Sequence, residues 1–393
     1  MGLDARATTE GRRGTAGESA DGPERVRRGS LRFSGAPFIR APKERGAVSI
    51  CGSAAGRDQP QRTRSRSTAD HAPSRLTPRW LRTILATLIA GAVVFPLSAA
   101  AQPEIPAPPP AALAPVTAAT LDEAYAANRA NAAEASRMAA AHGDTRRAAA
   151  DDSFAAPSRQ LLTFDGRGEG EAVEVFGDLA TADHIAVLVP GSDTSLDTYD
   201  RFRATALALR DQLARASPKG TGTAVVAWLG YETPGTISAT VTTTGRAEQA
   251  APELREFIRE MRSVVGREAQ VSLLCHSYGS VVCARAAAGL DVDDIVLVGS
   301  PGTGADTAAD LRTRARVWAA RGADDWVANV PHVSTDLFGT TVGFGTDPIS
   351  PAFGARVFAA GHGGHSDYFA PGSASLANLA RIVLAETSEV THA

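Results

Sequence analysis

The chain has 393 residues, 44% of them hydrophobic, which is room for one large domain or two of ordinary size. Its three cysteines, Cys51, Cys275 and Cys283, do not make a disulfide framework; Cys275 and Cys283 could pair in an oxidising compartment, but a strand end and a point two turns down the following helix rarely meet disulfide geometry, so these two read as buried free thiols. The formal net charge of −3 conceals an asymmetry, with 17 Lys and Arg against 8 Asp and Glu up to Arg82 and 23 against 35 after it; without aromatic interleaving, the basic part reads as a tail ahead of an apolar segment and not as a nucleic-acid surface.

Residues 1–78 are rich in Arg, Gly, Ser, Pro and Thr, with apolar side chains too scattered to form a face. Such a stretch cannot bury enough surface to offset its ordering entropy, so a disordered tail is expected. A start codon assigned too far upstream would also account for it. Residues 79–101 then place Arg79 and Arg82 before the apolar run Thr83 to Ala101, which ends in small residues. That is the layout of a secretory signal, with an uncleaved membrane anchor as the alternative; either puts the downstream domain outside the cytoplasm, secreted or in the cell envelope. Residues 102–157 are a Pro/Ala-rich linker followed by one or two Ala-rich helices with few large side chains to bury.

From residue 158 to the C-terminus, strand-like runs alternate with amphipathic helices, the pattern of a mainly parallel sheet with helices on both faces. Leu161–Asp165 and Glu171–Asp178 flank a Gly-rich turn and read as a hairpin. His184–Val189, Thr223–Gly230, Val271–Cys275, Asp294–Gly299, Ala315–Gly322 and Ala355–Ala359 complete about eight strands. The order matches an α/β-hydrolase layout.

The chemistry centres on VSLLCHSYGSVVCARAAAG, Val271 to Gly289. A buried strand runs into His276-Ser277-Tyr278-Gly279 and then a helix of small residues, the sequence form of a nucleophile elbow that projects Ser277 from the top of the sheet. Gly279 supplies one of the two small residues the turn needs, and Cys275 stands where glycine is usual. A serine hydroxyl needs a histidine to take its proton. His365 follows the last strand closely enough to serve, with His362 second. A carboxylate must orient that base; Asp324, after the strand ending at Gly322, is the first choice and its neighbour Asp325 the reserve. The oxyanion donors are assigned to the backbone N–H of Tyr278 and of Ser192, in the Pro190-Gly191-Ser192 turn, with Asp193 either bracing that turn or serving as a plain turn aspartate. His362, His365 and Asp367 also have a spacing that invites a metal reading, but no further ligand set accompanies them, so neither metal nor cofactor is expected. Tyr231 follows a central strand, as a pocket wall or a core aromatic.

The blocks VPGSDTS, AWLGYETP, CHSYGS, VLVGSPG and GHSDYF, in this order, resemble a family of actinobacterial α/β-hydrolases of unassigned biological role. The resemblance spans Leu161 to the C-terminus and implies the hydrolase fold and a serine hydrolase assignment of Ser277 and His365. The expected function is an exported serine hydrolase acting on a small-molecule or lipid ester through an acyl-enzyme. An amidase or peptidase would share every one of these residues, and a non-catalytic binding protein could retain the elbow. The long loop Trp326–Pro351 could cover the site as a lid or decorate the domain edge.

Overall fold

The computed structural model describes residues 105–113, 115–236, 243–330, 335–337 and 340–393. The basic tail and the signal-like segment therefore lie outside the described residues, as do the first residues of the linker.

All eight strands read from the sequence form one sheet, in the order β1-β2-β4-β3-β5-β6-β7-β10. They are β1 Gln160–Asp165, β2 Glu171–Gly177, β3 His184–Val189, β4 Thr223–Leu229, β5 Gln270–His276, β6 Asp294–Val298, β7 Arg316–Ala320 and the short edge strand β10 Arg356–Val357. β2 runs antiparallel to both β1 and β4, and the other neighbours are parallel. This is an α/β-hydrolase fold. Two shorter strands, β8 Thr335–Leu337 and β9 Thr340–Val342, form a separate hairpin in the loop after β7.

The central strands are continuous apolar runs because helices cover both faces. Along β3, Ile185, Val187 and Val189 face one cluster, and Ala186 and Leu188 the other. The first cluster is completed by α4 (Gly245–Val265) and α5 (Gly279–Ala286), the second by α3 (Tyr199–Ala216) and α6 (Ala374–Val383). The sheet thus presents the carboxyl ends of its strands to an open crevice.

The Ala-rich segment forms α1 (Leu121–His142), which covers the outer edge of β1, and α2 (Thr145–Ala155), which packs on α1. Its short side chains allow close approach, and Asn128 donates to the carbonyls of Leu161 (3.1 Å) and Leu162 (2.8 Å). A buried polar side chain thereby helps to cap a strand edge that would otherwise stay exposed. Arg147, in α2, donates to the Gly168 carbonyl at 3.1 Å through Nη1, tying the helices to the β1–β2 turn.

The topology places the site. β3 and β5 are spatial neighbours although β4 lies between them in sequence, so the loops leaving their carboxyl ends run to opposite sides and open a crevice. Pro190-Gly191-Ser192 leaves β3 there, and His276-Ser277-Tyr278 ends β5.

Candidate active site

Ser277 sits at φ 54°, in the left-handed region that a non-glycine residue rarely occupies. Strain of this kind costs about 1–3 kcal/mol and persists only when the surroundings impose it. Here the Ser277 amide donates to the Val298 carbonyl at 3.0 Å, and α5 starts directly beyond the turn. The sharp bend needs Gly279: a Cβ there would stand 2.6 Å from the carbonyl oxygens of Val189 and Pro190. Gly191 is required for the converse reason, since a Cβ on it would reach 2.7 Å from the Ser277 Cβ. The two loops are packed against each other through the absence of two side chains.

Cys275 and Cys283 are joined by a disulfide, with Cα atoms 6.5 Å apart. This corrects the expectation of two free thiols. The elbow folds α5 back against the strand it leaves, which brings Cys283 within the usual Cα range for a disulfide, about 4.4–6.8 Å.

His365 comes from the loop between β10 and α6. Its Nε2 lies 2.9 Å from the Ser277 Oγ, and its Nδ1 lies 3.0 and 3.1 Å from the two carboxylate oxygens of Asp325. A carboxylate only accepts, so Nδ1 carries the proton and Nε2 accepts from the serine hydroxyl. The first-choice carboxylate, Asp324, is not brought there. Its side chain is exposed, and its amide donates to the Gly363 carbonyl. The reason is a turn closed by the Asp325 amide on the Gly322 carbonyl, which directs residue 324 to solvent and residue 325 inward. Asp325 also accepts from the Val327 amide at 2.9 Å, capping the short helical turn Trp326–Asn329, so one aspartate both caps and orients.

Tyr368 supplies a contact absent from the sequence reading. Its hydroxyl donates to Asp325 Oδ2 and accepts from the Gly322 amide at 3.0 Å. Burial pushes the Asp325 carboxyl up, but the hydrogen bonds from His365, Tyr368 and Val327 outweigh it and hold it below the usual carboxylate range. Burial and then the bond to Asp325 push the Tyr368 phenol well above its ordinary value, so it stays a donor. His276 was also passed over. Its Nε2–H donates to the His365 carbonyl at 2.7 Å, fixing the loop that carries the base. Burial, and next the neighbouring His365, push its imidazole down to about 4, so it stays neutral near neutral pH. The signals were present, in the residue before the serine and the aromatic three after His365, but neither spacing states a contact.

His362 is exposed, and Asp367 accepts from the Gly364 amide at 2.8 Å. The amides of Tyr278 and Ser192 have no backbone acceptor among the described residues, and both residues line the cavity that holds Ser277. Asp193, at φ 57°, accepts from the amide and hydroxyl of Thr236. Tyr231 is buried, stacked on Trp228, and donates to the Pro190 carbonyl at 2.7 Å. It braces the loop from below and is not part of the cavity wall. That cavity has a volume of about 940 Å³. Trp326, Val327, Val330 and Phe344, from the long loop after β7, form one of its walls.

The uncharacterized protein Rv0963c of Mycobacterium tuberculosis is 30% identical over 197 residues, which cover 47% of this chain and 73% of that protein. The sequence profile of a family described as alpha/beta hydrolase matches residues 165–335. The chain belongs to the alpha/beta-hydrolase family. A longer relative, the uncharacterized protein Rv2079 of the same species, is 32% identical over 247 residues, 55% of this chain but only 37% of that protein's length. Among solved structures, a serine hydrolase without lid from Xanthomonas campestris is 18% identical, with a TM-score of 0.37 and coverage of 59% of this chain and 95% of that one. The family profile ends at residue 335 of this chain, so His365 and Tyr368 lie beyond the matched segment.

Proposed function

We propose that the chain is an exported serine hydrolase that cleaves carboxylic esters through an acyl-enzyme. The observation that carries this reading is the line of hydrogen bonds from Ser277 Oγ through His365 to Asp325, with the serine held at the tip of a strained turn. Ser277 attacks the ester carbonyl carbon as His365 Nε2 takes its proton, and Asp325 stabilises the imidazolium. The developing oxyanion is received by the amides of Tyr278 and Ser192. His365 then returns the proton to the leaving alcohol, and water, activated by the same imidazole, releases the acid. The export reading is supported by the signal-like segment at 79–101 and by the Cys275–Cys283 disulfide, since such bonds persist chiefly in oxidising compartments.

The test is hydrolysis of a p-nitrophenyl ester together with labelling by a fluorophosphonate. Ser277→Ala is expected to lower kcat by ~10⁴-fold or more and to abolish labelling. A wild-type chain that neither turns over nor labels would overturn the catalytic reading.

A further inference from the structure

We propose that the substrate is an ester of an apolar acyl chain, which lies along the α3 wall of the cavity, while the leaving alcohol departs past Trp326. The proposal rests on the serine hydrolase reading and adds the chemical class of the substrate and its orientation. One helical face of α3 carries Ala204, Thr205 and Ala208, all lining the cavity, whereas the neighbouring face packs Ala206, Leu209 and Leu213 into the core. The small side chains leave space opposite the floor, where Leu188 of β3 and Leu274 of β5 are direct cross-strand partners. Exposure falls along this path, from Ala204 in solvent, through the half-buried Thr205 and Ala208, to 1% at Leu188 and Leu274. The cavity lining on this side of the nucleophile is a mainly apolar trough, with the exposed Arg201 of the same helical face at its polar end.

Leu274 precedes Ser277 by three residues, and because the chain bends at Ser277 the two are at most roughly 10 Å apart, which an acyl chain of no more than about six to eight carbons would span. The trough offers such a chain apolar surface. The Thr205 hydroxyl is turned away to the Arg201 carbonyl at 3.1 Å and leaves its methyl group for contact. Direction follows from the proton. His365 must deliver it to the leaving oxygen, so the alcohol occupies the side of Ser277 nearer His365, and the acyl chain the other. The His365 ring lies against Trp326, with centroids 4.8 Å apart. Trp326 is 51% exposed, the single large hydrophobic side chain in solvent among the described residues, and it lines the same cavity. An indole at that position gives the departing alcohol a flat apolar guide.

The experiment measures kcat/KM of the purified chain on two series, p-nitrophenyl esters from acetate to decanoate and acetate esters of alcohols from ethanol to octanol. For the wild type, kcat/KM is expected to climb up to about fourfold per buried methylene along the acyl series and to level off near six to eight carbons. Ala208→Phe, which fills the trough, is expected to lower the octanoate-to-acetate ratio at least tenfold without comparable change along the alcohol series. Thr205→Leu serves as the second, milder obstruction, and fluorophosphonate labelling of each variant reports an intact elbow. A labelled wild type with no preference along the acyl series overturns the proposal while sparing the serine hydrolase reading. So does an Ala208→Phe chain that loses the alcohol series instead. A wild type that fails to label removes both.

Discussion

The Tyr368 hydroxyl donates to Asp325 on the oxygen that its other neighbours leave least occupied, while the Val327 amide holds Oδ1. The carboxylate that orients His365 is thus shared among three donors, and its charge is partly spent on a phenol that never ionises in the working range. Tyr368→Phe removes one donor and keeps the ring. Asp325 is then held by His365 and the Val327 amide alone and orients the imidazole less firmly, so kcat is expected to fall about three- to tenfold with KM little changed. A purely structural role for Tyr368 would lower the melting temperature and leave kcat unchanged well below it, so steady-state kinetics read beside a melting curve separate the two.

The adjacent aspartates allow a sharper comparison. Asp325→Asn presents an amide that no longer dictates the His365 tautomer, and kcat is expected to fall by ~10³–10⁴-fold. Asp324→Asn, at an exposed side chain, is expected to stay within about twofold of wild type. Both are read on one ester at one pH. If the Asp324 variant were the weaker enzyme, the orientation of the turn from Gly322 to Asp325 would be wrong.

How far the sequence reached depended on whether a feature was local. Strands buried on both faces, such as His184–Val189, announce themselves as apolar runs, and the elbow does so through small residues on either side of Ser277. Asp324 and Asp325 are distinguished only by a hydrogen bond that closes a turn, and nothing in two identical neighbours records which of them points inward. The Cys275–Cys283 bond was hidden for a related reason, because the distance between a strand end and the following helix depends on how sharply the backbone bends between them. Tyr368 and His276 act through partners far away in the chain, so their composition gave no sign of the role. The basic leader and the signal-like run lie outside the described residues.

The disulfide predicts a thiol count and a loss of stability. Denatured without reductant, the full chain is expected to titrate one thiol, Cys51, and after reduction all three cysteines. Replacing Cys275 and Cys283 together by Ser opens a link between residues eight apart. Loop-closure entropy puts the loss at about 2.5 kcal/mol, several degrees in melting temperature. At 25 °C most activity should survive, because Ser277 is also held by the Val298 carbonyl and by the close approach of Gly191 and Gly279. Three free thiols in the denatured, unreduced chain would refute the pairing.

Asp151 makes stability depend on pH at the seam between α2 and the hydrolase sheet. It is buried beside Arg147, 3.7 Å from its Nε, and Asp197 lies 3.5 Å from the same nitrogen. Burial pushes its carboxyl up to about 7, against the pull of Arg147 and with a further push from Asp197. A carboxyl whose folded value is raised binds its proton more tightly in the folded state than in the unfolded chain. Its contribution is therefore complete below about pH 4 and is lost as the pH rises through 7. Asp151→Asn cannot titrate, so the wild type should lose stability relative to this variant between pH 4 and pH 8, by on the order of 4 kcal/mol. Parallel melting curves of the two proteins across that range measure the difference, and a constant offset would show that Arg147 keeps Asp151 ionised throughout.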